Sequence, residues 1–218
     1  MAKLSGVHDS QAAGLPRGSH SLTPAEAREA QRRRLIRAAI SVFSERGYAA
    51  ATIADIVAGA RVSRVVFYDL FDSKEACFLA AETLGREAIF HSMASAMLGA
   101  DQTLDQWLRA TVRNYLNICA EEPEFTRAWT IEFPNASPAT LQRRNAYFSE
   151  LASRLKAMHQ IAQRQAPDVW ANVPESFYNA AIGGAHELIF ELVSQRRYQD
   201  LPALEEPIVE FVCKLLGH

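Results

Sequence analysis

The six histidines and three cysteines are the residues through which a helical enzyme or a metal centre would announce itself. His8, His20, His91, His159, His186 and His218 are scattered along the 218 residues. No HExxH, GxSxG or phosphate-loop pattern occurs, and His186-Glu187 lacks a second ligand at zinc-hydrolase spacing. Cys77, Cys119 and Cys213 form no CxxC pair, so neither a zinc site nor a disulfide framework is indicated and a reducing cytoplasm is the natural compartment. The sequence therefore asks for no catalytic residue, no metal and no cofactor; His186 reads as a core or interface histidine. The basic residues are different. Arg28, Arg32, Arg33, Arg34 and Arg37 share one segment, and Arg61, Arg64 and Lys74 follow it closely. Residues 1–74 hold 11 basic and 7 acidic side chains, or +4, and residues 75–218 hold 12 and 18, or −6. A net charge of −2 thus conceals a basic head on an acidic body, and the chemistry open to such a head is phosphate binding.

The elements that would position these groups are helices. With 49% hydrophobic and 22% charged residues, 10 glycines and 9 prolines, the composition is globular and rich in helix formers, and an all-α fold follows. No apolar run is long enough to cross a bilayer and no signal peptide is evident. Residues 1–22 lack apolar periodicity and read as a flexible arm. Thr23-Pro24-Ala25-Glu26 is a capping box with proline at the first helical position. It opens a helix whose stripe runs through Leu35, Ile36, Ala39, Ile40 and Phe43 and stops at Gly47, with Tyr48 folding back on Phe43 in a Schellman end. Thr52 then caps a short helix bearing Ile53, Ile56 and Val57. Ser63 caps another bearing Phe67 and Phe71. Two short amphipathic helices joined by such a turn and braced by a longer one form a helix-turn-helix. Asp72-Ser73-Lys74-Glu75 caps a fourth helix, about 74–98, and proline punctuation places further helices at about 104–121, 123–133, 138–165, 174–197 and 204–216. The expected domains are an arm (1–22), a helix-turn-helix domain (23–72) and a helical body (73–218).

The stretches Phe43-Ser44-Glu45-Arg46-Gly47-Tyr48, Thr52-Ile53-Ala54-Asp55-Ile56, Ala60-Arg61-Val62-Ser63-Arg64-Val65-Val66-Phe67-Tyr68-Asp69-Leu70-Phe71 and Ser73-Lys74-Glu75 are similar, in order and spacing, to the DNA-binding domain of TetR-type transcriptional regulators. The resemblance covers about residues 30–82. It implies a homodimeric regulator, usually a repressor, that binds a palindromic DNA operator and is released by a small-molecule effector. By position it makes Thr52, Ser63, Tyr68 and Lys74 phosphate contacts and Arg64, Val65 and Val66 groove-facing residues, with Phe67 and Phe71 in the core. The chain departs from the family pattern at two places. Arg61 stands where glycine is common and either adds a backbone contact or tolerates the turn. Val65-Val66 stand where Gly-Thr is common and offer thymine methyl groups an apolar surface.

The body is expected to bind the effector and to dimerise. Residues Phe177 to Val193 are apolar nearly all round and so require cover on more than one face. With the last helix they resemble the family's four-helix dimer interface, for which Ala181, Gly184, Ala185 and Leu188, together with Ile208, Phe211, Val212 and Leu215, are the candidates. Aromatic and polar residues on the middle helices, Trp107, Thr111, Tyr115, Phe125 and Trp129, then Phe133, Tyr147, Phe148 and Tyr178, are candidates for a pocket suited to a hydrophobic or amphipathic effector. The competing reading is a helical small-molecule or partner-binding module that no longer reads DNA.

Overall fold

The computed structural model describes residues 4–6, 23–96 and 103–217, the side chains of 92–96 aside. Helices account for its regular structure, and no strand occurs among the described residues. They are α1 (Pro24–Arg46), α2 (Ile53–Ala60), α3 (Arg64–Leu70), α4 (Lys74–Ala96), α5 (Leu104–Glu121), α6 (Pro123–Arg127), α7 (Phe133–Ala136), α8 (Pro138–Gln165), α9 (Glu175–Ser194) and α10 (Glu205–Leu215). A π-helical turn, Ala128–Glu132, joins α6 to α7, and a 3-10 segment, Tyr198–Leu204, precedes α10.

Two compact units result. The first runs up to Arg86 and takes in Glu124–Thr140; the second holds Glu87–Pro123 and the chain from Leu141 onward. The sequence boundary at 72/73 follows the motif, whereas the observed first unit also holds the start of α4 and the 124–140 segment. Chemistry explains the recruitment of that segment. Phe133 is fully buried and meets Phe78 edge-on at 4.9 Å, while Phe78 packs on Phe43 at 4.4 Å. Ser41 Oγ donates to Glu124 at 2.6 Å and Arg127 donates to the Ser44 carbonyl at 3.0 Å, tying both to α1.

The capping residues set the helix starts as expected. Thr23 and Glu26 form the reciprocal box that opens α1, Thr52 and Asp55 form another at α2, and the Ser63 hydroxyl accepts from the Val66 N–H at 3.2 Å. The end of α1 departs from a Schellman turn. Gly47 has φ 80° but ψ 153°, and the Tyr48 N–H donates to Glu132 Oε2 at 2.9 Å instead of to a helix carbonyl, although the Phe43–Tyr48 ring contact forms at 5.3 Å. Glu132 reaches Tyr48 from the π turn. Pro134 lacks an N–H and its ring crowds the carbonyl four residues back, so the helix widens there and the Phe133 N–H reaches the Ala128 carbonyl. Asn135 Nδ2 donates to the Ile131 carbonyl at 2.7 Å, satisfying a group that the widened turn frees. The continuous helix expected over 123–133 is thereby divided. Of the arm expected to be flexible, residues 4–6 lie on α1: Leu4 is buried, the Gly6 N–H donates to Ser41 Oγ at 2.9 Å, and Arg37 donates to the Ser5 carbonyl. The remainder of residues 1–22, with Arg17 and His20, lies outside the described residues.

Candidate nucleic-acid interface and effector cavity

In the first unit, α2 and α3 are locked from beneath. Phe67 is fully buried and Phe71 nearly so, the core places that the resemblance implied. The turn between them closes at Arg61, whose φ of 51° and ψ of 49° are left-handed. Its N–H donates to the Ala58 carbonyl and the following Val62 N–H to the Val57 carbonyl, both within the last turn of α2.

The arginines of α1 complete the lock. Arg34 Nη2 donates to the carbonyls of Ala60 (2.5 Å) and Arg61 (3.0 Å), and Arg28 Nη2 donates to the Asp69 carbonyl at 2.6 Å. Each guanidinium thus satisfies carbonyls at the C-terminal end of α2 or α3, where a helix carries partial negative charge. Burial, and then the Arg61 charge, hold the Arg34 pKa below its ordinary value. Lys74 is held in the same way: its ammonium donates to the carbonyls of Tyr48 (2.7 Å), Ala51 (2.9 Å) and Ala49 (3.5 Å) and lies 4.4 Å from the Tyr48 ring centroid. That geometry fixes the loop ahead of α2. Glu132, which sequence reasoning missed, holds the same loop from the other side.

What the lock leaves outward is the face of α3. Val65 is 69% exposed, Tyr68 is 57% exposed, Arg61 and Arg64 are exposed, and Val66 is half-buried. Ser63 Oγ receives the Val66 N–H, which leaves its own hydroxyl hydrogen to donate outward. The Thr52 hydroxyl, by contrast, donates to Asp55 Oδ2 at 2.7 Å, and its hydrogen bonds with Thr52 hold the Asp55 carboxyl below the usual range. The expected DNA residues therefore divide. Arg61, Ser63, Arg64, Val65, Val66 and Tyr68 gather on one surface, while Thr52 and Lys74 brace it.

The second unit holds a partly open cavity of about 120 Å³ between α5, α8, α9 and α10. Trp107, Thr111, Tyr115, Tyr147 and Phe148 line it, as expected of pocket residues. The other candidates lie elsewhere. Phe125, Trp129 and Phe133 belong to the first unit, where Trp129 packs on Phe133 at 4.8 Å and Phe125 fills the space over Gly85. Tyr178 joins His159 Nδ1 at 3.0 Å and borders a separate polar hollow beside the Lys156–Glu175 ion pair. The dimer candidates divide as well: Ala181, Ala185, Ile208 and Val212 line the cavity of the protomer itself. Helical spacing showed that these positions are apolar, but not which side of α9 and α10 turns inward. Gly184 receives the Phe211 ring of its own chain, where a Cβ would come within 2.8 Å of ring carbons. The outer side of α9 keeps Phe177, Ala180 and Gly183 exposed, with nothing within 4 Å of a Cβ built on Gly183. His186, which sequence reasoning placed in core or interface, is on the cavity wall; burial, then the Arg144 charge, push its pKa down to about 4, so the ring is neutral at pH 7.

A two-turn helix with a buried underside and a basic, apolar outer face, held by a preceding helix and a short turn, is the reading element of a helix-turn-helix DNA-binding protein, here joined to a helical body with a cavity between its helices. Residues 35–81 match the model of the bacterial regulatory proteins of the tetR family, and this segment is a TetR-type DNA-binding domain. Solved structures with the same fold include the fatty acid degradation regulator FadR from Bacillus halodurans. It is 18% identical with a TM-score of 0.76, and the alignment covers 86% of this chain and 97% of that one. A tetR-family regulatory protein from Rhodococcus RHA1 (20% identity, TM-score 0.69, 86% and 97% coverage) is similar, as is FadR from Bacillus subtilis in complex with stearoyl-CoA (18%, 0.69, 82% and 96%). At such identities the likeness shows the fold. No curated protein matches the chain in sequence.

Proposed function

We propose that this protein is a cytoplasmic repressor that binds a palindromic operator as a homodimer and leaves it when a small apolar effector occupies the body. The observation that carries the proposal is the outer face of α3, where two large apolar side chains stand open to water beside Arg61 and Arg64 on an otherwise closed unit. Arg64, Val65 and Val66 are assigned to base edges, and Ser63, Tyr68 and Arg61 to phosphates. Thr52 and Lys74 act as positioning residues. One two-turn helix reads few base pairs, and two half-sites about 34–36 Å apart supply the missing specificity. The dimer face is assigned to the outer side of α9 and to the exposed parts of Gly184, Leu188, Phe211 and Leu215. The cavity of the second unit supports an effector role, and the Bacillus subtilis FadR structure shows a related fold holding a ligand, stearoyl-CoA. α4 belongs to both units, to the first through Arg86 and to the second from Glu87, and so is the candidate element through which occupancy changes DNA affinity.

The test is a salt-titrated binding assay on the promoter beside the protein's own gene, with sedimentation of the free and DNA-bound protein. Saturable, sequence-specific binding by a dimer, weakened at least tenfold by Arg64→Ala, is expected. Binding that ignores sequence, or a monomer on a single half-site, overturns the proposal.

A further inference from the structure

The cavity of the second unit has more than an apolar wall. Trp107 and Thr111 stand one turn apart on α5, are only 4% and 8% exposed, and both line the space. Among the described residues the Trp107 indole Nε1 and the Thr111 Oγ1 have no hydrogen-bond partner. Buried donors left without an acceptor are rare, and a cavity beside them is where a bound group completes them.

The charges around the cavity narrow the ligand further. Arg154 is the wall's permanent cation, but its guanidinium donates to Glu150 at 2.9 Å and lies 4.2 Å from the Phe90 ring centroid. The wall's histidine, His186, is neutral at pH 7. Arg144, whose guanidinium lies 3.8 Å from the Phe148 ring centroid, stands behind the wall and does not line the space, so an anionic group in the cavity would lose its water and face only the already paired Arg154. Size sets the last limit. At about 120 Å³ the space is of the order of the ~150 Å³ apolar cavity that accepts benzene, with an open side that leaves room for a ring substituent, and is far short of a long acyl chain.

We propose that this cavity binds an uncharged, single-ring-sized organic molecule carrying one hydrogen-bond acceptor, such as a carbonyl oxygen, which the Trp107 indole N–H and the Thr111 hydroxyl receive. The proposal rests on the reading of the second unit as the effector-binding body and names the class of effector.

Calorimetric titration of the full chain with acetophenone, ethylbenzene, benzoate and stearoyl-CoA tests it. Acetophenone is expected to bind; ethylbenzene, its near-isostere without the oxygen, about tenfold more weakly, the worth of one buried hydrogen bond; the two anions not measurably. Thr111→Val, nearly isosteric, and Trp107→Phe each reduce the acetophenone preference. The indole N–H resonance that disappears in Trp107→Phe moves on adding acetophenone and stays in place with ethylbenzene. Equal affinity for acetophenone and ethylbenzene, tighter binding of benzoate or stearoyl-CoA, a stationary indole resonance, or no binding of any of the four overturns the proposal. Operator release is scored separately. If acetophenone fills the cavity without releasing DNA, the ligand class stands and the effector reading falls. If stearoyl-CoA releases DNA, the effector reading stands and the ligand class falls.

Discussion

If Arg61 meets DNA as proposed, Arg61→Gly is expected to move stability and DNA affinity in opposite directions. An L-residue in the left-handed region costs about 1–2 kcal/mol, and Arg61 sits there with φ 51° and ψ 49°. Glycine removes that cost, but its wider freedom in the unfolded chain gives back about 0.5–1 kcal/mol. The backbone carbonyl that accepts from Arg34 survives the substitution. A net stabilisation of about 0.5–1 kcal/mol is left, which for a chain of this length raises Tm by about 1–4 °C. DNA affinity moves the other way. One exposed guanidinium is lost from each protomer, so the slope of log K against log salt becomes shallower by about 1.8 for a dimer. Arg61→Ala is the control, since it loses the same charge but keeps the strained backbone; it shows the shallower slope without the gain in Tm. Scanning calorimetry and salt-titrated fluorescence anisotropy read the two effects. A glycine variant less stable than the parent, or slopes that match the parent in both variants, refutes the reasoning.

Three further perturbations probe the packing behind the two sites. Gly85→Ala places a Cβ 2.0 Å from Phe125 Cζ, so overpacking is expected to cost about 1–3 kcal/mol, read as a fall in the denaturation midpoint. Arg34→Ala leaves the carbonyls of Ala60 and Arg61 without their charged donor and is expected to cost about 2 kcal/mol, with weaker DNA binding but an unchanged salt slope. His186 binds its proton with a pKa of about 4 when folded and near 6.5 when unfolded, so the unfolded state takes up more protons as pH falls from about 6.5 to 4, and stability declines through that window. Relative to His186→Gln, the parent should lose about 1 kcal/mol more between pH 6 and pH 5 in urea titrations, and parallel profiles would contradict this.

The starts of α1, α2 and α3 were legible because capping is local chemistry: Thr23, Thr52 and Ser63 each bond within three residues of themselves. The π turn at Ala128–Glu132 was not, although its cause, Pro134, is in plain sight; a proline can end, kink or widen a helix, and packing selects among these. The pocket residues show the same limit. Phe133 and Phe148 are the same residue type on neighbouring segments, yet Phe133 belongs to the first unit and Phe148 to the cavity wall of the second. Apolar periodicity fixes which residues are buried but not in which core. For α9 and α10 it likewise left open whether Ala185 and Val212 meet a partner or their own protomer's cavity.

The basic head tests how far charge counting can be carried. Arg28, Arg32, Arg33, Arg34, Arg37, Arg61, Arg64 and Lys74 are eight cations per protomer, and if all met phosphates a dimer would show a salt slope near −14, at about −0.9 per neutralised phosphate. The structure removes most of them from that count. Arg28, Arg34, Arg37 and Lys74 donate to backbone carbonyls, Arg33 pairs with Glu29 at 2.8 Å, and Arg32 lies 5.6 Å from the Phe71 ring centroid. Arg61 and Arg64 are the exposed pair left beside α3. Four such cations in a dimer predict a slope of about −4 in a KCl titration of operator binding. A slope beyond about −8 would mean that the α1 arginines leave the carbonyl ends of α2 and α3 for phosphates when DNA binds. The lock that orients the reading helix would then be a feature of the free protein alone.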